Sequence, residues 1–143
     1  MLVREFRLHD LKRVFEIEKM SFSEPYDVNI LKQLHNIGAG FLVVQENSYV
    51  IGYIIFWVKE LDKGHIISIA VDKNYQKINA GSKLLDTCIN IFKSFDIFKI
   101  ALEVRANNHI AISFYQKFGF KVSEFLPKYY ENGDDGLAMI LEL

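Results

Sequence analysis

The sequence predicts an α/β domain in which a central, mixed and twisted β-sheet of about six or seven strands carries about four helices on its two faces. Short strand-like runs alternate along the whole chain with segments whose apolar residues recur at helical spacing. Of the 143 residues, 50% are hydrophobic and 14% aromatic, which suffices for a sizeable core and argues against disorder. Because the sequence contains no repeat, low-complexity tract or linker, we expect one domain over residues 1–143.

The predicted strands are short apolar or alternating segments bounded by polar or glycine-containing stretches. They cover residues 2–7, 41–45, 50–58, 65–71, 97–104, 122–126 and 137–141. Glu46, Asn47 and Ser48 favour a hairpin turn between the second and third of these strands.

The predicted helices each present an apolar face, and they cover residues 9–20, 27–36, 81–94 and 108–118. Asp27 suits the N-cap of the second helix, and Gly119 suits the end of the fourth. One face of the first helix is apolar except for a single carboxylate; it is formed by Leu11, Val14, Phe15 and Glu18.

The composition excludes several classes of function. A formal net charge of -1 provides no global basic field for nucleic acid or an anionic membrane. The single cysteine excludes an intramolecular disulfide, and the four histidines lack metal-ligand spacing, so we expect no metal. No uncharged apolar run approaches the roughly 18 residues that span a bilayer. Because Arg4 and Glu5 are charged where a signal peptide is apolar, we expect a cytoplasmic protein.

The most informative segment is residues 66–85, which have the pattern of a strand, a short turn, a loop of small residues and a helix. Small residues at Ala80, Gly81 and Ser82 let a ligand approach the backbone. The N–H groups and dipole at a helix N-terminus favour an anion, so this segment predicts a phosphate site. The loop has neither the Walker A nor the Gly-x-Gly-x-x-Gly pattern. An ordinary strand–turn–helix connection is the alternative.

This segment resembles the acetyl-CoA signature of the GCN5-related N-acetyltransferases (GNAT), Gln/Arg-x-x-Gly-x-Gly/Ala, with Gln76, Gly81 and residues 84–85 at matching places. The resemblance continues, in order, through residues 102–108, 111, 114–115, 118–120, 129–130 and 136–139. It is closest to the branch that includes ribosomal-protein alanine acetyltransferases (RimI type) and catalytic subunits of N-terminal acetyltransferase complexes. It therefore implies the GNAT fold.

Asn79 replaces the first loop glycine of the family. Asparagine tolerates a left-handed backbone better than other non-glycine residues, so we expect the turn to survive. If the glycine instead serves close approach to the pyrophosphate, the Asn79 side chain would crowd the ligand.

The resemblance implies that acetyl-CoA is the cosubstrate. The backbone of one strand would pair with its pantetheine arm, the Val71 N–H would face the developing oxyanion, and the loop would hold the pyrophosphate. The implied contacts are Ile69, Ala70, Val71, Gln76, Lys77, Ile78, Asn79, Ala80, Gly81, Ser82 and Asn108.

The resemblance also implies the catalytic groups, in a direct transfer without a covalent enzyme intermediate. Glu103 matches the general base, for which partial burial predicts a raised pKa; the alternative is a structural pairing with Arg105 or a lysine. Tyr115 matches the general acid, and a core aromatic at helical spacing is its alternative. Glu24 and His65 compete with Glu103 for the role of base.

The residues implied on the substrate side are Glu24, Tyr26, His65, Tyr129 and Tyr130. The tyrosine pair resembles one that binds a substrate peptide backbone, so we expect transfer to the N-terminal α-amine of a protein or peptide. Transfer to a small-molecule amine and a catalytically silent acyl-CoA-binding module remain the alternatives. A ribosome-associated or auxiliary partner subunit is left open.

Overall fold

The structure is a computed structural model that describes every residue of the chain except Lys77. Its strands are β1 (Leu2–Glu5), β2 (Gly40–Glu46), β3 (Tyr49–Glu60), β4 (Lys63–Val71), β5 (Lys99–Arg105), β6 (Lys121–Leu126) and β7 (Gly136–Glu142). Its α-helices are α1 (Leu11–Ser21), α2 (Val28–Asn36), α3 (Ala80–Ser94) and α4 (His109–Lys117). Short 3-10 helices cover Leu8–Asp10 and Lys73–Ile78.

The strands form one seven-stranded sheet in the order β1-β2-β3-β4-β5-β7-β6. Strand pairs β1–β2, β2–β3, β5–β7 and β6–β7 are antiparallel, whereas β4 and β5 are parallel. The predicted α/β class with a mixed sheet and four α-helices is thus confirmed. Among the described residues, no helix is both long enough and apolar enough to cross a membrane.

The predicted element positions hold, with shifts at their ends. The first predicted helix begins as the 3-10 helix Leu8–Asp10 and becomes α-helical at Leu11. Asp27 caps α2 as predicted, because its side chain accepts a hydrogen bond from the Asn29 amide at 2.8 Å. Gly119, at φ +100°, follows the end of α4 in a conformation that favours glycine. The turn predicted after β4 is wound into the 3-10 helix Lys73–Ile78, which the sequence pattern did not indicate.

Contacts between residues group the chain into two compact units. Unit 1 comprises Met1–Trp57 and Ile67–Ile91, and unit 2 comprises Val58–Ile66 and Phe92–Leu143.

The core of unit 1 forms where α1 and α2 bury apolar residues at helical spacing against alternate residues of the strands. Val14 and Ile17 of α1 are fully buried, as is Leu31 of α2. They pack with Phe41 of β2 and the fully buried Tyr53 of β3. Burying Tyr53 completely requires a hydrogen-bond partner for its hydroxyl, and Glu18 of α1 provides it.

The core of unit 2 is built on the alternation of β5 and on an aromatic contact. Ile100, Leu102 and Val104 are buried, so the residues between them, including Glu103, lie on the opposite, half-buried face. The rings of Tyr115 and Phe120 meet edge to face, with their centroids 5.7 Å apart.

Candidate active site

Strand β4 provides the backbone that the sequence assigns to the cosubstrate. Its residues alternate between buried and half-buried, which places Ile69 and Val71 on the half-buried side and Ala70 on the buried side. The parallel register with β5 runs from Lys63↔Lys99 to His65↔Ala101. Residues 69–71 follow the end of this paired segment, so pairing with β5 does not engage their N–H and C=O groups. Strand β3 neighbours β4 on its other side.

The turn after β4 is fixed by Asp72, which caps the 3-10 helix Lys73–Ile78. Its carboxylate accepts a hydrogen bond from the Asn74 amide at 2.9 Å and one from the Arg13 guanidinium at 2.6 Å. Burial acts to raise the pKa of Asp72, but these bonds outweigh it and hold that pKa below its usual value. Neither Arg13 nor Asp72 was singled out from the sequence, because the two are 59 residues apart along the chain.

Asn79 makes the left-handed turn that leads into α3. Its φ of 64° and ψ of 24° lie in the left-handed region, as the sequence predicted for an asparagine in place of glycine. Its carbonyl accepts the Lys83 amide at 3.1 Å, so Asn79 stands at the N-cap position of α3. Asn79 is exposed.

The start of α3 suits an anionic phosphate. Ala80, Gly81 and Ser82 form the first turn, whose N–H groups have no acceptor one turn earlier in the helix. Ala80 is fully buried, whereas Gly81 and Ser82 are half-buried. Gln76 ties the preceding segment to β4, because its side-chain amide donates to the Val71 carbonyl at 3.3 Å. Ile78 is 38% exposed, and Lys77 lies outside the described residues. These residues therefore fit the phosphates of acetyl-CoA.

Unit 2 holds a pair of ionisable side chains from neighbouring strands. His65 Nε2 lies 2.8 Å from Glu103 Oε1, with relative side-chain exposures of 12% and 24%. The bond to His65 lowers the pKa of Glu103, and the partial burial of the carboxylate acts against this shift. The sequence-based expectation of a raised pKa for Glu103 is therefore wrong, because a histidine partner 38 residues away was not foreseen.

A pocket of about 250 Å³ opens beside this pair within unit 2. Its lining includes His65, Glu103 and Tyr129, together with the small side chains of Ala101 and Ala138. Ala138 is the cross-strand partner of Glu103, so a small residue stands directly beside the carboxylate and leaves space above the sheet. Burial raises the pKa of Tyr129, and the negative charge of Glu103 raises it further. Two of the predicted substrate residues and the predicted base are thus brought together.

Arg105, considered from the sequence as an alternative partner of Glu103, pairs with Asp134, while Lys59 and Lys63 contribute to lowering the pKa of Glu103. Arg105 donates to Asp134 at 2.6 Å, and its guanidinium lies 4.1 Å from the centroid of the Tyr130 ring. Tyr129 and Tyr130 meet edge to face at 5.1 Å. Tyr129 is 51% exposed at the pocket, whereas Tyr130 is stacked on the arginine. The two predicted peptide-binding tyrosines therefore have different surroundings.

Tyr115 on α4 is 8% exposed. Burial, with a smaller effect from Tyr130, raises the pKa of Tyr115 far above its ordinary value. Among the described residues none hydrogen-bonds the Tyr115 hydroxyl, and none of their fully buried side-chain polar atoms lacks a partner. The hydroxyl oxygen therefore reaches solvent and can donate a proton or a hydrogen bond to a ligand.

The remaining predicted residues lie at the start of α4 or in the connection between α1 and α2. Asn108 is the N-cap of α4, and its side chain accepts a hydrogen bond from the Ala111 amide at 3.2 Å. Glu24 and Tyr26 lie in the exposed connection between α1 and α2, in unit 1. The Tyr26 amide donates to Glu18 at 3.0 Å, a contact that sequence analysis did not foresee. The signal for it was the one carboxylate on the apolar face of α1. Among the described residues, no group of His, Cys, Asp or Glu side chains is placed to hold a metal ion.

The chain is similar to known proteins over most of its length. The model of the Acetyltransferase (GNAT) family matches residues 8–120. A putative ribosomal protein bS18-alanine N-acetyltransferase of Bacillus subtilis is 34% identical over 140 residues, covering 96% of this chain and 92% of the relative. An N-alpha-acetyltransferase of Sulfurisphaera tokodaii is 32% identical over 154 residues, covering 99% of this chain and 92% of the relative.

The crystal structure of Ard1 from Thermoplasma volcanium superimposes with a TM-score of 0.96 at 29% identity, covering 99% of this chain and 97% of that one. The resemblance read from the acetyl-CoA signature is thereby confirmed, and so is the predicted GNAT fold. This chain belongs to the GNAT family and is an N-acetyltransferase of that type.

Proposed function

We propose that this enzyme transfers an acetyl group from acetyl-CoA to the N-terminal α-amine of a protein or peptide. The observation that carries the proposal is the His65–Glu103 pair, 2.8 Å apart, beside a pocket that also presents Tyr129. Acetyl-CoA supplies the acyl thioester. The protein must remove a proton from the amine, hold the acceptor in place and protonate or hydrogen-bond the departing thiolate.

Which member of the pair accepts the proton of the amine follows from the difference in pKa between the amine and each acceptor. An α-amine has a pKa of about 7.7–8.0, and a carboxylate near 4.3 would accept its proton at a cost of about 5 kcal/mol. The lowered pKa of Glu103 makes direct transfer to that carboxylate costlier still. An imidazole, with a reference pKa near 6.5, leaves a gap of only about 2 kcal/mol. We therefore assign proton acceptance to the pair, with His65 as the acceptor and Glu103 as the anion that stabilises the imidazolium.

The same arithmetic favours α-amines over lysine side chains. A lysine ε-amine has a pKa near 10.4, so its deprotonation costs about 3.5 kcal/mol more than that of an α-amine. A modest base such as a His–Glu pair is matched to the amine that is already partly neutral near pH 7.5.

Tyr115 is the proposed donor to the leaving thiolate. Its raised pKa makes full proton transfer to a thiolate more uphill than for an ordinary tyrosine, since each pKa unit adds about 1.4 kcal/mol. A hydrogen bond from the Tyr115 hydroxyl to the sulfur is therefore the main stabilising contribution, and the hydroxyl is not committed to another described residue.

The cosubstrate contacts follow from unit 1. We propose that the backbone of residues 69–71 hydrogen-bonds the pantetheine arm and that the first turn of α3, preceded by Gln76, Lys77, Ile78 and Asn79, holds the pyrophosphate. Asn108 contributes by capping α4, from which Tyr115 projects. The names of the Bacillus subtilis and Sulfurisphaera tokodaii relatives, an alanine acetyltransferase and an N-alpha-acetyltransferase, support an α-amine as the acceptor.

The test is transfer from acetyl-CoA to a panel of acceptors. The panel contains peptides with free N-termini, the same peptides with blocked N-termini and one internal lysine, and common polyamines. We expect transfer to free N-termini only. Transfer to polyamines would instead assign a small-molecule amine as the substrate. Acetyl-CoA binding without transfer to any acceptor would contradict the proposed activity.

A further inference from the structure

Glu18 is a buried carboxylate that the proposed reaction does not use. It lies on α1 and is 2% exposed, between turns that bury Val14 and Ile17. Burying a carboxylate among apolar residues is unfavourable unless hydrogen bonds compensate, and a leucine would suit the packing of this face better. Its desolvation raises the pKa of Glu18, although three hydrogen bonds act in the opposite direction.

Those three donors come from different parts of unit 1. The hydroxyl of Tyr53 on β3 donates to Glu18 Oε1, and the hydroxyl of Ser68 on β4 donates to the same oxygen at 3.3 Å. The other oxygen, Oε2, accepts the backbone amide of Tyr26 at 3.0 Å. Oxygen Oε1 is thus bound to strands β3 and β4, while Oε2 holds the connection between α1 and α2.

The backbone of Glu18 holds the same connection at its other end. Its carbonyl accepts the Phe22 amide at 3.1 Å, where α1 stops. A single residue therefore binds both the first and the last residue of the segment 22–26, which carries Glu24 and Tyr26. After this segment, the Asp27 cap begins α2. Both ends of a short exposed segment are therefore fixed by one buried residue.

We propose that Glu18 is a positioning residue, which clamps the segment 22–26 so that Glu24 and Tyr26 are held for the acceptor peptide. The inference rests on the proposed function, since Glu24 and Tyr26 are substrate residues only if the acceptor is a peptide. Ser68 places the anchor one residue before the strand segment 69–71 that is assigned to acetyl-CoA. The clamp therefore ties the acceptor segment to the cosubstrate strand through one carboxylate.

The decisive variant is Glu18→Leu, which keeps the apolar packing and removes the acceptor of the Tyr26 amide. We expect the KM for peptide to rise about tenfold or more, while the KM for acetyl-CoA stays within about twofold. Tyr53→Phe is the matched control. It removes another hydrogen bond of the same buried carboxylate but leaves the bond to Tyr26, so it should lower the melting temperature without changing the KM for peptide.

Glu18→Gln provides the rescue. Its amide oxygen can face the Tyr26 amide while its NH₂ group donates to the hydroxyls of Tyr53 and Ser68, which can also accept. We expect a KM for peptide close to that of the unsubstituted enzyme. An unchanged KM for peptide in folded Glu18→Leu would overturn the inference, and so would an equal rise of the KM in Tyr53→Phe.

A second measurement needs no variant. In the unsubstituted protein, we expect the Tyr26 amide to exchange its hydrogen at least about 100-fold more slowly than the Ser23 amide of the same segment, which donates to no described residue. Equal exchange rates would show that the clamp does not hold. If the unsubstituted enzyme acetylates no peptide, the proposed function fails, whereas the exchange experiment still decides on the clamp.

Discussion

Tyr115→Phe separates the chemical role of one hydroxyl from its structural surroundings. The ring is buried and contacts Phe120, and phenylalanine preserves that contact. No described residue loses a hydrogen bond when the hydroxyl is removed, so we expect the free energy of unfolding to change by no more than about 0.5 kcal/mol. The only hydrogen bond that the variant should lose is the proposed one to the departing thiolate of CoA. A hydrogen bond to a charged group contributes about 1.5–3 kcal/mol, so kcat should fall about 10- to 150-fold.

The assay is the steady-state release of the CoA thiol with saturating peptide, combined with calorimetric titration of acetyl-CoA and a melting curve. We expect acetyl-CoA affinity and the melting temperature to be retained, and Tyr49→Phe, which removes an exposed hydroxyl, to leave kcat unchanged. Because the pKa of Tyr115 is far above its ordinary range, the unsubstituted enzyme should also lose no activity through this group up to about pH 10. An unchanged kcat in folded Tyr115→Phe would refute the proposed role.

Three further predictions concern the base, the loop and the turn. Glu103→Gln removes the anion beside His65 and should lower kcat/KM by about 100-fold, while Glu142→Gln, an exposed carboxylate of the same unit, should not. Asn79→Gly should leave the calorimetric affinity for acetyl-CoA equal or better, because glycine adopts the left-handed conformation of this residue without cost; a clear loss would mean that the side chain contacts the ligand. The lowered pKa of Asp72 means that its contribution to folding is present above its unfolded pKa, near 3.9, and is lost as the pH falls through the folded value. Asp72→Asn should therefore flatten the loss of stability measured between about pH 5 and pH 2, and an unchanged slope would contradict this assignment.

Local features of the fold could be predicted from the sequence because they depend on neighbours in the chain. Helical spacing located α1 to α4, and the Asp27 cap and the Gly119 stop followed from residues within one turn. The left-handed backbone of Asn79 followed from the conformational preference of that residue type. The 3-10 helix Lys73–Ile78 was missed although its cap, Asp72, is adjacent in the chain, because the pattern of residues 72–75 also suits a simple turn.

The electrostatics of the site could not be predicted, because they depend on partners far away in the chain. Glu103 meets His65 across 38 residues, and this bond reverses the direction expected for its pKa. Glu18 meets Tyr53 and Ser68 across 35 and 50 residues. A carboxylate on an apolar helix face indicates that a partner exists without identifying it. The roles of the individual site residues, and the single domain over residues 1–143, stay predictions.

The most direct test of α-amine transfer uses one acceptor that offers both kinds of amine. A short peptide with a free N-terminus and one internal lysine is incubated with the enzyme and acetyl-CoA, and tandem mass spectrometry locates the added acetyl group. We expect the acetyl group on the α-nitrogen, with the lysine unmodified while unreacted N-termini remain. Acetylation of the lysine, or of both amines at similar rates, would contradict the central claim that a modest His–Glu base selects the N-terminal amine.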